Sequence, residues 1–381
     1  MVLYGSLPFD TRVKREAVAL RNAGYEVVVH DTDWDLGEVN NLRGINRWSV
    51  TRVPIRRRAS LTHLLRFWLR ATLLLLSRRH EIDIVHAHDL TGLPPAALLK
   101  LVTPRIRLVY DSHELFPEAA RDKVSFAAYV LFLAIELVCG RMVDVVITVS
   151  PSMVKTLGTR LPKPVFLVMN VPDVEDVVQQ IGTIPQCDPQ TVHNKTRVAY
   201  SGNVLLRRGY EQLVSAAEVL SRRHPGRYEF WIIGGGPFLP AVKRLVRERG
   251  LEDTFVFTGQ VKFAELLTKT VNCDIAVALY GDTWNNNVGL SNKLFEYMML
   301  GMPMIFTRLV QSVPILRRTG ALIVNNPVDP EELADAIVRL TQDIELRKEI
   351  STRCRRLIRG RFNWARESQS LLQAYDALAA G

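Results

Sequence analysis

The stretch NKLFEYMMLGMPMIF, residues 292–306, predicts a helix that ends at a glycine and continues into a strand. Gly301 is placed to end the helix, and the apolar run after Pro303 is typical of a buried strand. Lys293 and Glu296 stand three residues apart near the helix start, so they share one face. A charged pair is unexpected on a segment that otherwise favours burial.

Short β-branched runs alternate with helical patterns on both sides of this stretch. The runs that predict buried parallel strands are EVVVHD, DIVHAHD, IRLVYDSHE, DVVITVS and VFLVMN in the first half, and RVAYSG, YEFWIIGGG, TFVFTG, DIAVALY and PMIFT in the second. Residues 172–195 lack apolar periodicity and are rich in proline and polar residues, which indicates a linker. We therefore predict two doubly wound α/β domains in tandem, with ligands at the carboxyl ends of their strands.

The composition agrees with two domains and argues against several classes of site. A chain of 381 residues with 48% hydrophobic content exceeds the usual size of a single core. The four cysteines lie far apart without a C-x-x-C pair, which argues against a zinc ribbon, a redox motif or a disulfide framework and suits a reducing compartment. The opening MVLYGSLPFD shows no cleavable signal, and its apolar residues could be the end of a first strand.

Much of the net charge of +10 lies between Arg43 and Arg79, where there are ten arginines and no acid. Within it, apolar residues occur at helical spacing: Leu61, Leu64, Leu65, Trp68 and Leu75. Two interpretations remain open, a helix on an anionic membrane surface or a domain helix with a solvated basic face. The run is too short to span a bilayer, as is FAAYVLFLAIELVC at 126–139. No recognised nucleic-acid module accompanies the arginines, so no nucleic-acid partner is predicted.

Two glycine-rich strand exits in the second half indicate a phosphate ligand. The turn at residues 234–236 lacks the third glycine of a dinucleotide fingerprint, which argues against a dehydrogenase. Arg207 and Arg208 precede a helix, where positive charge is unfavourable for the helix dipole unless an anion is bound. A diphosphate would satisfy them; a solvated arginine pair is the alternative.

Histidines and acids gather at two strand exits of the first half. His88 ends one strand and His113 follows another, each beside acidic residues. His113 could orient a substrate hydroxyl or help to move a proton, although a structural role is the alternative, more so for His88. Asp31, Asp33 and Asp35 are spaced like a metal-binding D-x-D, but we interpret them as surface acids, and no metal or cofactor is predicted.

In this order and spacing, the segments resemble the retaining glycosyltransferases of family 4, which have the GT-B fold. The resemblance is strongest over residues 198–307, through YSGNVLLRRGYEQLV, WIIGGGP, FVFTGQV, DIAVAL and SNKLFEYMMLGMPMI. It implies two Rossmann-like domains facing a central cleft, with residues 1–171 binding the acceptor and residues 196–360 binding a nucleotide sugar. FNWARESQSLLQAYDAL resembles the closing helix of that fold, so residues 361–381 are expected to cross back to the first domain.

The resemblance implies a role for each matching position. Lys293 and Arg208 would hold the donor diphosphate as the sugar leaves, and Glu296 would bind the ribose hydroxyls. His113 matches the family's histidine near the transferred sugar and completes the expected catalytic set. The other positions expected to contact substrates are Gly5, Asn203, Gly235, Gly259, Val261, Gly289, Leu290 and Ser291.

Three departures from the family pattern bear on activity. Val288 stands where a first glutamate normally holds the sugar hydroxyls, Asn203 replaces an arginine, and Gly5 is all that remains of a glycine pair. A branch of the family shares the S-N-K-L-F-E-Y variant, so the departures leave mainly the donor sugar open.

We therefore expect a retaining, hexosyltransferase-type enzyme that uses a UDP- or GDP-sugar without a metal. The expected acceptor is a membrane-associated glycolipid or a polysaccharide precursor of the cell envelope. The protein is expected in the cytoplasm, with a peripheral position on the inner face of the membrane through the Arg43–Arg79 region. Two alternatives are a non-catalytic partner subunit of an active transferase and a nucleotide-sugar epimerase of the same fold.

Overall fold

The computed structural model describes residues 1–5, 7, 10–33, 41–42, 45–52, 61–121, 124–190 and 193–379. The chain forms two compact units. Unit 1 comprises Met1–Asn170 and Ala365–Gly381, and unit 2 comprises Val171–Trp364. The α/β architecture in two domains that the sequence predicts is confirmed.

The predicted linker is grouped with unit 2 rather than standing apart from it. Its residues 174–181 form a helix, and the buried Cys187 donates its backbone N–H to the Leu300 carbonyl at 2.9 Å. The segment contains few apolar residues, and backbone hydrogen bonds supply part of its attachment to unit 2.

Unit 1 is built on parallel strands flanked by helices. The strands are β1 (Val28–Asp33), β2 (Asn41–Leu42), β3 (Ile45–Arg52), β4 (Ile84–His88), β5 (Arg107–Ser112), β6 (Val145–Thr148) and β7 (Val165–Leu167). β1 pairs with β3, which carries β2 antiparallel on its far side, and β4 to β7 pair in sequence. Val2 forms parallel bridges to His30 and Ala87, so it lies between β1 and β4 in the place of a first strand.

The helices of unit 1 connect these strands in the doubly wound manner. They are α1 (Thr11–Asn22), α2 (Leu61–Ser77), α3 (Asp89–Val102), α4 (Phe116–Ala120), α5 (Phe126–Gly140) and α6 (Pro151–Arg160). Strand order reverses at Val2, because the chain goes from Val2 to β1 on one side and later to β4 on the other. Such a reversal opens a crevice at the carboxyl ends of the strands.

The part of the basic stretch that is described includes α2, which is a packed domain helix. Leu64 and Leu75 are buried, and Trp68 donates its indole N–H to the Thr91 carbonyl at 2.8 Å. The residues that the sequence suggested for a membrane therefore face mostly inward, whereas Leu65 is exposed. Residues 43–44 and 53–60 of this stretch lie outside the described part of the chain.

The interpretation of Asp31 as a surface acid was wrong. Asp31 is fully buried in β1 and accepts the Leu7 backbone N–H at 2.9 Å. The alternation of polar residues in this segment resembled a loop, but the carboxylate serves the buried turn beside it. Asp35 lies outside the described residues.

Unit 2 contains a six-stranded parallel sheet. Its strands are β8 (Thr196–Ser201), β9 (Tyr228–Ile233), β10 (Phe255–Gly259), β11 (Ile275–Ala278), β12 (Met304–Thr307) and β13 (Leu322–Val324). Their order is β10-β9-β8-β11-β12-β13, so the direction of winding reverses between β8 and β11. A ligand is expected beyond the carboxyl ends of these two strands.

Helices cover both faces of this sheet. They are α7 (Val174–Ile181), α8 (Tyr210–Arg223), α9 (Leu239–Glu248), α10 (Phe263–Val271), α11 (Trp284–Val288), α12 (Asn292–Leu300), α13 (Val313–Thr319), α14 (Pro330–Gln342) and α15 (Ile344–Gly360). The last helix of the chain is α16 (Trp364–Ala379). The stretch at 292–306 forms α12 and β12 as predicted, and Gly301 ends α12 in the left-handed conformation with φ +67°. Nearly all of α16 is grouped with unit 1.

Candidate functional site

Glycines at the ends of β8 and β9 bring two backbone segments of unit 2 into close contact. The Gly202 N–H donates to the Ile233 carbonyl at 2.8 Å, and a Cβ on Gly234 would come within 2.4 Å of the Gly202 oxygen. Gly235 accepts the Val204 N–H at 2.8 Å. These turns lie at the edge of the sheet where strand order reverses.

Arg208 lies over an aromatic ring at this edge. Its guanidinium carbon is 4.6 Å from the centre of the Tyr280 ring, which follows β11. The Tyr280 hydroxyl hydrogen-bonds the Ser291 hydroxyl, so the ring is tied to the start of α12. The turn that carries Arg208 is fixed by a hydrogen bond from the Gly281 N–H to the Arg207 carbonyl at 2.8 Å.

Lys293 occupies the equivalent position over a second tyrosine. Its Nζ lies 4.2 Å from the centre of the buried Tyr200 ring, at the end of β8. Burial, and then the nearby charge of Arg208, lower the pKa of Lys293 to about 7, although Glu296 acts in the opposite direction. The two cations are therefore close enough to disfavour each other, and both sit on aromatic faces.

A third tyrosine supports the other two. The Tyr297 hydroxyl accepts from the Ser201 hydroxyl at 3.0 Å and donates to the Val277 carbonyl at 3.2 Å. It thereby links β8 to β11. The tyrosine cluster of Tyr200, Tyr280 and Tyr297 was not predicted, although Tyr200 and Tyr280 each stand near the end of a strand pattern in the sequence.

The start of α12 faces the same edge. Ser291 is the N-cap residue, yet its side chain does not cap the helix and instead bonds Tyr280. The first turn of a helix presents backbone N–H groups and a partial positive charge. Glu296 is half-buried one turn further along, on the side of α12 that carries Lys293.

The remaining residues predicted for the donor side surround this centre. Gly259 ends β10 with φ +69° and pairs with Gly234, and Val261 follows it, half-buried. Gly289 and Leu290 form the half-buried connection from α11 to α12. Asn203 is exposed in the turn after β8. Val288, where the sequence pattern would have an acid, is 7% exposed and closes α11 as a packed apolar side chain.

The two other predicted residues, Gly5 and His113, belong to unit 1. Gly5 follows Val2 and accepts both the backbone N–H and the hydroxyl of Thr32 at 2.9 Å. His113 follows β5, where its Nε2 donates to Asp111 at 2.9 Å and its Nδ1 lies 3.4 Å from Asp89.

Asp111 and Asp89 set the charge of His113. Burial opposes a charged ring, but the two carboxylates outweigh it and raise the pKa of His113 to about 10. The imidazole is therefore protonated at neutral pH. Of the two roles considered for His113, orienting a hydroxyl as a hydrogen-bond donor fits this charge, and accepting a proton does not.

A buried network behind His113 holds Asp111 in place. Arg12 donates to both oxygens of Asp111, at 2.9 and 3.2 Å, and its Nη2 also lies 2.9 Å from Glu16. Although burial favours the neutral acid, Arg12 and His113 hold the pKa of Asp111 well below its ordinary value. Burial raises the pKa of Glu16 to about 8, so Glu16 is mostly neutral at pH 7.

His86 and His88 complete this network. Their rings stack with centres 4.3 Å apart, and His86 Nδ1 bonds the Tyr375 hydroxyl at 2.8 Å. Together with Glu16 and Asp111 they offer four donor atoms within 4.8 Å of one another, a set that could hold a metal ion. The Arg12 guanidinium already supplies a cation to both carboxylates, so we assign the set to hydrogen bonding around Asp111.

Two family profiles match the chain, one in each half. The profile described as Glycosyltransferase Family 4 matches residues 10–175, and the profile described as Glycosyl transferases group 1 matches residues 195–343. The chain belongs to the group 1 glycosyltransferases. The predicted group 1 family is thereby confirmed, and retention of the anomeric configuration stays a prediction.

Individual relatives of this group 1 glycosyltransferase match only part of it. The alpha-D-kanosaminyltransferase of Streptomyces kanamyceticus is 31% identical over 156 residues, which are 40% of this chain and 38% of that protein. The chain spans about half or less of the length of the curated relatives that it matches, from 38% to 53%.

Solved structures resemble the whole chain. Anabaena HepE, in complex with UDP and glucose, has a TM-score of 0.74 at 15% identity, covering 99% of this chain and 98% of that one. WaaG, a glycosyltransferase involved in lipopolysaccharide biosynthesis, has a TM-score of 0.69 at 14% identity, covering 100% and 99%. At these identities the likeness establishes the fold, and the predicted GT-B class is confirmed.

Proposed function

We propose that this protein transfers a sugar from a nucleotide-diphosphate sugar to an acceptor hydroxyl, with retention of the anomeric configuration. The observation that carries the proposal is the placement of Arg208 and Lys293 over adjacent tyrosine rings where the strand order of unit 2 reverses. The complex of the similarly folded HepE with UDP and glucose supports the same class of donor.

A diphosphate fits the charge of this position. Neither Arg208 nor Lys293 forms an ion pair with a carboxylate in the part of the chain that the structure describes. Burial is the main cause of the lowered pKa of Lys293, and repulsion by the Arg208 charge lowers it further. An anion bound between them and the start of α12 would remove this repulsion and gain the backbone N–H groups of the first helical turn.

The other donor contacts follow from position along the same edge. Glu296 lies one turn beyond Lys293 and would accept hydrogen bonds from the ribose hydroxyls, while Gly235, Gly259 and Val261 would lie beside the base. The connection at residues 289–291 would approach the sugar. As the bond to the sugar breaks, Arg208 and Lys293 would stabilise the charge on the departing diphosphate, so no metal is needed for this step.

In unit 1, the Nδ1–H of His113 would donate a hydrogen bond to the transferred sugar in exchange for its 3.4 Å contact with Asp89, while the Nε2–H stays on Asp111. The charges of Asp89 and Asp111 keep the ring protonated, which suits a hydrogen-bond donor better than a base. The sugar is proposed to be a hexose. The acceptor is proposed to be a membrane-associated glycolipid or polysaccharide precursor of the cell envelope, as the role of the similarly folded WaaG in lipopolysaccharide biosynthesis suggests.

A thermal-shift screen against UDP, GDP and their hexose derivatives would identify the donor, after which nucleotide release can be measured. Arg208→Ala with Lys293→Ala should lower turnover by about a hundredfold or more, by loss of charge stabilisation. Arg222→Ala with Lys348→Ala removes the same charge from an exposed and a half-buried position outside the site and should leave turnover unchanged. Full turnover by the first double variant would refute the assignment.

One observation favours a second candidate, a non-catalytic partner subunit. Val288 places a buried apolar side chain where the family pattern has a sugar-binding glutamate. A partner subunit would show neither transfer nor donor hydrolysis in isolation, and would gain a function only with an active transferase. Transfer by the purified protein alone would exclude this candidate.

A further inference from the structure

Helix α2 is apolar on two opposite sides. Phe67 and Ala71 are buried against the rest of unit 1, whereas Leu65, Leu69 and Leu73 are 50%, 62% and 59% exposed. The spacing of four residues places the three leucines in one stripe along the helix. A helix that is apolar on two opposite sides normally has protein or lipid against both, and this stripe has no such cover in the described part of the chain.

Helix α5 has the same character. Phe126 is 76% exposed, Leu131 57% and Val138 53%, and they extend over most of the helix. The acid of this helix, Glu136, is fully buried, where it accepts hydrogen bonds from Tyr110 and Arg160. The outward surface of α5 is therefore apolar from end to end.

Helix α3 lies between them and joins the two stripes. It contacts both α2 and α5, and it exposes Leu98, Leu101 and Val102 near its end. α3 connects β4 to β5, and α5 lies between β5 and β6 in the chain, while α2 leads from β3 to β4 in the same direction across the sheet. Right-handed crossovers that run in one direction place their helices on one face. We call this surface the apolar face: the exposed side chains Leu65, Leu69, Leu73, Leu98, Leu101, Val102, Phe126, Val130, Leu131 and Val138.

Other exposed large apolar side chains of the described residues are scattered over unit 2. Single exposed residues of that kind are ordinary on protein surfaces, whereas a contiguous apolar surface indicates an interaction site. None of the described helices is long and apolar enough to cross a bilayer.

The charge on the apolar face decides between occupants. Arg66 and Arg70 are exposed on α2 and Arg141 at the end of α5, while no acid of the three helices is left outward apart from Asp89. Asp89 is at the start of α3 and binds His113. A second copy of this chain would bring like charges together, which is unfavourable, whereas an anionic bilayer satisfies both the apolar and the basic residues.

We propose that the apolar face docks on the surface of a bilayer that contains anionic lipid, with α2, α3 and α5 lying along the headgroup boundary. The proposed surface adds α3 and α5 to the arginine-rich stretch. On α2 it uses the side of Leu65, Leu69 and Leu73, whereas Leu64 and Leu75, which the sequence also suggested, are buried on the other side. It does not depend on the proposed glycosyl transfer, because it rests only on the exposed surface of unit 1.

Vesicle flotation of the purified full chain tests this, with phosphatidylcholine alone and with phosphatidylcholine containing phosphatidylglycerol. The wild type should float with the mixed vesicles. Phe126→Ser with Leu131→Ser should lower the partition coefficient by about tenfold or more, as the loss of two inserted apolar side chains requires. Phe263→Ser with Val310→Ser, exposed on unit 2, is the matched control and should leave it unchanged.

A charge series separates the electrostatic part. Arg66→Gln with Arg70→Gln should lower partition into mixed vesicles by about thirtyfold, taking about 1 kcal/mol for each arginine. Arg222→Gln with Arg244→Gln should have no such effect. Equal recovery of the wild type with both kinds of vesicle would overturn the electrostatic proposal.

Two further outcomes would overturn the docking proposal as a whole. The first is no flotation with either vesicle. The second is a stable dimer by light scattering that Phe126→Ser with Leu131→Ser converts to a monomer, since a second copy would then cover the face. Unchanged melting temperatures and unchanged nucleotide binding without lipid would show that each variant is folded. They would also distinguish a failure of the membrane proposal from a failure of the proposed donor site.

Discussion

Donor binding should be coupled to the uptake of a proton by Lys293. In the free protein the pKa of Lys293 is lowered to about 7, first by burial and then by Arg208. A diphosphate bound beside it would favour the charged form and raise this pKa again. Binding must then take up about 0.9 proton at pH 8 and about 0.1 proton at pH 6, the neutral fractions of a group with a pKa of about 7.

Affinity for the donor should fall as the pH rises above 7. Below pH 7 Lys293 is already charged, so affinity should not change with pH, whereas above pH 7 Lys293 must take up a proton when the donor binds. At pH 8 the dissociation constant should be about tenfold weaker than at pH 6. A nucleotide sugar is the correct probe, because both of its phosphates are esterified and neither titrates in this range.

Calorimetry with UDP-glucose or GDP-mannose, in phosphate and in Tris, measures the proton uptake from the difference between the observed enthalpies. Lys293→Arg is the matched control, since arginine stays charged and should abolish both the uptake and the loss of affinity above pH 7. Uptake near zero at pH 8 in the wild type, or undiminished uptake in Lys293→Arg, would refute the placement of the diphosphate beside Lys293.

Three further perturbations test other parts of the structure. Gly209→Ala should lower the free energy of unfolding in urea by about 2–4 kcal/mol, because φ is +67° and the new Cβ would lie 2.3 Å from the Cβ of Leu279. The control, Gly250→Ala, also has a positive φ but open space around the new Cβ, so it should lower the free energy of unfolding by only about 1–2 kcal/mol. Arg12→Met should cost about 3–5 kcal/mol by leaving the buried Asp111 carboxylate with only one of its two cations, while nucleotide affinity stays unchanged. His113→Phe should lower kcat by about a hundredfold with unchanged donor affinity, and the pH–rate profile of the wild type should show no ionisation of His113 below about pH 9.

The sequence predicted the fold well because its signals are local. Alternating strand and helix patterns, with glycines at strand ends, determine a doubly wound sheet almost independently of contacts between distant residues. The stretch at 292–306 is the best example, since α12, the glycine at Gly301 and β12 each follow from neighbouring residues.

Other features depended on contacts that no local pattern contains. Tyr200 and Tyr280 are far apart in sequence, and only the pairing of β8 with β11 brings their rings under the two cations. The same holds for Asp31, whose burial depends on the turn at Leu7. The inward side of α2 could not be identified either, because apolar residues occupy both of its sides.

The charge of His113 is a third such feature. A histidine beside acids in sequence is compatible with a base or with a fixed cation. The structure distinguishes them, since Asp111 and Asp89 approach different ring nitrogens and hold the ring protonated.

The most direct test of the proposed function is the release of nucleotide and the formation of a glycosylated product from a UDP- or GDP-hexose by the purified protein. We predict product with the anomeric configuration of the donor, as proton NMR would show, and a loss of about a hundredfold or more in turnover for Arg208→Ala with Lys293→Ala. Undiminished turnover by that double variant, or a product of inverted configuration, would contradict the proposal.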